Sequence, residues 1–182
     1  MVKRYALTDF IYAAVFAALT AVLGAISIPI PFSPVPVSGQ SLGIMLTGSI
    51  LSAKQAALSV LTFLLLGAVG IPVFGGLTGG IGVLVGPKGG YLTGFFAGVI
   101  IIALVKGSTD KLWRLALANV VGGICVVYIP GVLWLSFVTG VDLNKAIMIG
   151  ALPFIPGDLF KVFVAAVIGT AVNKHFLRTV AR

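Results

Sequence analysis

LWRLALANVVGGICVVYIPGVLWLSFV, the stretch from Leu112 to Val138, decides what kind of protein this is. After Arg114 no charged side chain appears until Asp142. A helix needs about 20 apolar residues to cross a hydrocarbon layer roughly 30 Å thick, and this run supplies them. Apolar and polar residues do not alternate along it, which argues against a transmembrane β-barrel. The same texture continues outward in both directions. No charge lies between Asp9 and Lys54, between Lys54 and Lys88, or between Lys88 and Lys106. Hydrophobic residues make up 59% of the 182 and charged residues 9%, against about 25% charged in soluble domains. Such a chain could not cover a soluble fold with polar surface.

The expected fold is all-α, a polytopic membrane protein with six transmembrane helices in a single domain over residues 1–182. The expected helices are 8–28, 38–51, 55–69, 91–105, 112–138 and 158–172. The first comes after Lys3 and Arg4, as the apolar core of a signal peptide would. The residues beyond it are equally apolar, so it reads as a membrane helix. Pro29, Pro31, Pro34 and Pro36 break the chain after it, because proline neither donates to a helix nor tolerates a helical predecessor. Gly70 to Gly90 reads as a long glycine-rich loop. The run 112–138 is expected to kink at Pro130-Gly131, and a short interfacial helix is expected near Asn144.

The basic residues set sidedness. A formal net charge of +8 suggests nucleic acid, but the lysines and arginines sit in short clusters between apolar runs, where they act as topology determinants. No nucleic-acid partner is expected. With the N-terminus inside, Lys3, Arg4, Lys54, Lys106, Lys111, Arg114, Lys174, Arg178 and Arg182 fall on one side, and Lys88 and Lys145 on the other. This bias places both termini in the cytoplasm. It also puts the Pro-rich segment, the Gly-rich segment and the stretch before Asp158 together on the outer face.

Ionisable groups inside apolar helices usually face a cavity and mark function. Asp158 and Lys161 are three residues apart, hence on one helical face, at the outer end of the last helix. A helix-capping carboxylate with a snorkelling lysine is the plainer reading. Gln40 and Tyr91 open helices at the same level; either can be structural, as a cap or an interfacial aromatic. Gly86-Pro87-Lys88-Gly89-Gly90 lacks the spacing of a phosphate loop. Catalytic constellations are missing from the sequence: it has one cysteine, one histidine (His175) and no glutamate. No enzyme activity, metal or cofactor is expected. Cys125 is expected to pack in the core. Ala13, Ala17 and Ala21 form a small-residue stripe that lets another helix approach closely; packing inside the bundle is its simplest use.

Several motifs in order resemble one known family. They are Pro34-Val35-Pro36 with Gln40-Ser41-Leu42-Gly43, Ala57-Leu58-Ser59 leading to Leu64-Leu65-Leu66-Gly67 and Gly70-Ile71-Pro72-Val73-Phe74, Gly86-Pro87-Lys88-Gly89-Gly90-Tyr91-Leu92 with Gly94-Phe95, and Pro153-Phe154-Ile155-Pro156-Gly157-Asp158-Leu159 with Lys161. They resemble the biotin transporter BioY family, whose members are substrate-binding S components of energy-coupling-factor (ECF) transporters. The resemblance implies a multi-pass protein of a bacterial-type cell membrane. It implies capture of biotin from outside, with a transmembrane coupling subunit and two ATPase subunits as partners and ATP hydrolysis left to those subunits. An S component for thiamine or riboflavin, or a scaffold subunit without ligand, are the alternatives. Asp158, Lys161, Gln40 and Tyr91 would then contact biotin, with Lys88, Gly79 and Gly80 serving its carboxylate. Ala13, Ala17 and Ala21 would form a docking face for the coupling subunit. The Gly70–Gly90 segment would act as a lid.

Overall fold

The structure, a computed structural model, describes the backbone of residues 7–180 and the side chains as far as His175. Lys3, Arg4 and Arg182 lie outside the described residues, as does the side chain of Arg178. The helices are α1 (Leu7–Ala25), α2 (Gln40–Ile50), α3 (Ala53–Ala68), α4 (Ile81–Val85), α5 (Gly89–Lys106), α6 (Leu112–Ala118), α7 (Val126–Thr139), α8 (Leu143–Gly150) and α9 (Ile155–Val180). A π-helical segment, Asn119–Cys125, joins α6 to α7 without a break. Among the described residues, four stretches are long and apolar enough to cross a membrane: Leu7–Ala25, Gly89–Lys106, Leu112–Thr139 and Ile155–His175. Their outward faces carry exposed Phe10, Val22, Phe137, Phe160 and Phe163. In water such faces would be a liability; against lipid they are solvated.

Local chemistry explains most boundaries. Ser52 starts α3 with a capping box: its Oγ accepts from Gln55 N at 3.4 Å, and Gln55 Oε1 accepts from Ser52 N at 3.2 Å. This satisfies two of the free N–H groups of the first turn and makes the α2–α3 turn tight. Gly140 closes α7 in a left-handed conformation, φ +69°, which only glycine adopts without steric cost. The prolines after α1 do more than end it. They fall in or beside the loop of a small antiparallel hairpin, β1 (Ser27–Ile28) and β2 (Val37–Ser38), with Ser27 opposite Ser38. The expected first helix therefore stops short of Ile28.

Three further expectations change. The Gly70–Gly90 segment is not all loop, since α4 lies within it and Phe74 bridges to Thr78. The Phe74 ring plugs this segment into the bundle against Phe63, at a centroid distance of 5.5 Å. Cys125 is exposed, not packed in the core, because the π segment turns its glycine side inward instead. Pro130 sits inside α7 and the helix continues through it. The irregularity expected there lies earlier, at Asn119–Cys125.

The core is organised around α5, the most enclosed of the four long helices. It packs on α7 and the π segment through glycines. A Cβ on Gly94 would lie 3.0 Å from Val127 O, and one on Gly98 3.0 Å from Val127 Cγ2. Backbones at this separation admit no side chain between them. Ala13 and Ala17 of α1 are buried at 1% and 3% exposure, and Ala21 is partly buried against the same core. This corrects the docking expectation. The stripe faces into the bundle, while Ala14 and Ala18 beside it are exposed.

Candidate functional site

The first turns of α9 and α2 meet at one end of the bundle. Asp158 comes at the fourth position of α9, after Pro156, which the first turn tolerates because its missing N–H is not needed there. At 5% exposure Asp158 is a buried carboxylate, and such a group is tolerable only if paired and hydrogen-bonded. It is both. Oδ1 accepts from Lys161 Nζ at 2.9 Å and from Ser41 Oγ at 3.0 Å, and Oδ2 accepts from Tyr128 OH at 2.6 Å. Lys161 in turn donates to Ser38 O and to Ser41 Oγ, each at 2.8 Å. An ammonium has three protons, so Lys161 is fully committed to Ser38, Ser41 and Asp158. Four side chains from α2, α7 and α9 are thus locked into one network.

The network forms one wall of a cavity. Gln40, Tyr91, Phe95, Phe154 and Val35 line it, with Gly75 and Lys88 towards the glycine-rich segment and Gly123 and Val127 from the region of the π segment. Mixed apolar walls with a few convergent polar groups are the usual make-up of a small-molecule site. The π segment matters here, because widened turns re-aim side chains and recur at functional sites. Gly123 lies in it, and Val127 and Tyr128 come directly after it.

Each expected site residue has a definite place. Asp158, Lys161, Gln40, Tyr91 and Lys88 come together around the cavity. Gln40, 4% exposed, donates through Nε2 to Val73 O at 3.4 Å. Tyr91 is no belt residue: it is buried, its hydroxyl donates to Gly150 O at 2.8 Å, and its ring meets Tyr128 edge-on at 6.0 Å. Lys88 Nζ donates to Gly75 O at 3.2 Å, and partial burial lowers its pKa below the ordinary lysine value. Gly79 and Gly80 are not brought to the cavity. Gly80 N donates to Gly67 O of α3 at 2.7 Å, and a Cβ on Gly79 would meet the Gly70 and Ile71 carbonyls, so the pair packs against the end of α3 and the turn after it. Gly75 takes the position expected of them. Sequence reasoning misses Ser41 and Tyr128. A serine beside Gln40 and a tyrosine inside an apolar run carry no signal until the fold sets them beside Asp158.

The BioY family model matches residues 1–178. The chain belongs to the BioY family. Among its BioY relatives, the biotin transporter BioY of Thermotoga maritima is 41% identical over 167 residues, covering 91% of this chain and 96% of that protein. The biotin transporter BioY of Rhizobium etli is 38% identical over 173 residues, covering 90% and 92%. A solved structure, the S-component for biotin from an ECF-type ABC transporter, superposes with a TM-score of 0.87 at 31% identity, covering 96% of this chain and 95% of that one. Family membership and the four apolar spans make this BioY chain a multi-pass membrane protein.

Proposed function

We propose that this BioY chain captures biotin in the cavity beside Asp158 and serves biotin uptake as the substrate-binding component of an ECF transporter. The observation that carries the reading is the Asp158 network. Biotin presents two ureido N–H donors and one ureido carbonyl. Among the described residues Asp158 Oδ2 has a single protein donor, Tyr128, and a carboxylate oxygen has room for another. A ureido N–H fits there. Lys161 has no proton left for the carbonyl, so the Gln40 amide is the natural donor. Tyr91 and Phe95 pack the bicycle. The valeryl carboxylate goes to Lys88, the cavity cation with protons to spare. Lys161 thus orients Asp158, whereas Gln40 and Lys88 take the ligand's acceptors.

This role sets the other parts. Six crossings put both termini in the cytoplasm, with α2 and α3 as the shorter spans and the cavity facing outward. The Gly70–Gly90 segment closes over the ligand. A coupling subunit docks on α1 through its exposed Ala14 and Ala18, and two ATPase subunits drive reorientation. The chain itself performs no chemistry on biotin.

Equilibrium binding to the detergent-purified chain tests the reading, with biotin, thiamine and riboflavin side by side. Biotin alone should bind. Asp158→Ala should weaken it by about 1–3 kcal/mol or more. Binding of thiamine or riboflavin in preference to biotin would sink the proposal.

A further inference from the structure

The cavity does not end at Lys88. A second cleft lies beyond it, between the β1–β2 loop and the segment leading to α4, lined by Ser27, Ser33, Pro34 and Thr78. Pro36, Gly75 and Lys88 line both spaces. The partition is therefore thin, and the bond across it is Lys88 Nζ on Gly75 O at 3.2 Å. No part of this outer cleft is used by the Asp158 network.

The arrangement bears on which biotin compounds can bind, and it rests on the biotin reading proposed for the cavity. The ureido head is held at the Asp158 end. The three protons of Lys161 are committed there, so the carboxyl end lies at Lys88, against the partition. We infer that the site also accepts biotin amides, such as biotin joined through its carboxyl to the ε-amine of lysine, with the tether leaving through the outer cleft. An amide supplies one acceptor and one donor. Its carbonyl can accept from Lys88 Nζ in place of Gly75 O, and its N–H can donate to the Gly75 carbonyl, which keeps its bond from Thr78 Oγ1 at 3.2 Å and has the place left by Lys88 open. The exchange leaves no polar group unpaired, which is the condition for burying an amide. Ser27, Ser33 and Thr78 line the cleft; Thr78 Oγ1 donates to Gly75 O and Ser33 Oγ accepts from Val35 N, and as hydroxyls both keep capacity for the polar end of a lysine tether. The substrate class widens from a free vitamin to the amides released when biotinylated proteins are degraded.

A charged acceptor at Lys88 is stronger than a neutral one, so the amide should bind more weakly than biotin, by about tenfold. Titration of the detergent-purified full chain with biotin and with Nε-biotinyl-lysine measures this. A second readout locates the tether. Ser33→Cys is made in a Cys125→Ser background, which removes the chain's one native cysteine. A biotin amide carrying a maleimide on a short tether should label that cysteine, and excess biotin should block the labelling. Biotin binding without Nε-biotinyl-lysine binding overturns the inference and leaves the biotin reading intact. So does an amide that binds but labels Ser33→Cys no faster than a maleimide without biotin. Failure of biotin itself to bind overturns the reading on which the inference stands.

Discussion

Asp158 and Lys161 are legible from sequence because charge in an apolar run demands a reason, and three-residue spacing brings the two together. What the sequence hides is the direction of each bond. Lys161 looks like a ligand-binding cation, yet its protons go to Ser38, Ser41 and Asp158. Lys161→Met should therefore act mainly on stability. It strands a buried carboxylate, at about 3–5 kcal/mol, and the double variant Asp158→Asn/Lys161→Met should recover part of that loss. Thermal unfolding in detergent, run on the single and double variants, checks this; equal melting temperatures for the two would contradict it. Tyr128→Phe removes the donor to the buried Asp158 Oδ2 and should cost about 1–3 kcal/mol of stability, read as a lower melting temperature in the same experiment. Lys88 gives a pH dependence. Its pKa is lowered by burial, so the free protein loses this charge earlier than an ordinary lysine as pH rises. A biotin carboxylate pairs with the protonated form alone. Affinity should fall as pH rises through the lowered pKa, and Lys88→Met should flatten the profile. Titrations across alkaline pH decide it.

At the scale of elements, apolar runs and capping residues are enough to find the long helices. The hairpin is not visible, because strands of two residues carry no periodicity. The helix α4 is hidden by the glycines around it. The π segment cannot be foreseen from Pro130, since its position depends on Gly122 and Gly123 meeting α5 and α2: a Cβ on Gly122 would lie 2.6 Å from Gly98 O, and one on Gly123 2.8 Å from Met45 Cε. The alanines of α1 show the same limit. Spacing identifies a stripe but not which side of the helix is already occupied. Ala17→Trp should lower the yield of folded chain, because the position is 3% exposed and overpacking a core is destabilising. Ala14→Trp and Ala18→Trp should leave biotin binding by the isolated chain intact and reduce co-purification with a coupling subunit. If Ala17→Trp folded normally and alone disrupted the complex, the stripe of Ala13, Ala17 and Ala21 would be the docking face after all.

For the whole molecule, the two ends of the bundle differ in kind. One end holds the cavity and its irregular segments. At the other, Lys106 Nζ and Asn173 Nδ2 both donate to Ser49 O at 3.0 Å, and Asn119 Nδ2 donates to Ser49 Oγ at 2.8 Å. These groups tie the C-terminal ends of α2 and α5 to α9 and favour the partial negative charge at those helix ends. The charge count along the sequence points to this polarity, although it cannot say that one lysine at this end is buried at 6% exposure. The proposed topology predicts that Lys54→Cys reacts with a membrane-impermeant reagent only from the cytoplasmic side, and Lys145→Cys only from outside, in a Cys125→Ser background. The opposite pattern would invert the protein.

The committed protons of Lys161 have a last consequence, in ionic strength. The Asp158–Lys161 pair is electrically neutral before any ligand arrives, and the ureido head of biotin is neutral too. Docking the head transfers no net charge into the site. The tail alone forms a new ion pair, at a partly exposed lysine where salt can screen it. Raising salt should thus weaken biotin slightly and leave its uncharged amides nearly unaffected, so that concentrated brine narrows the gap between vitamin and conjugate.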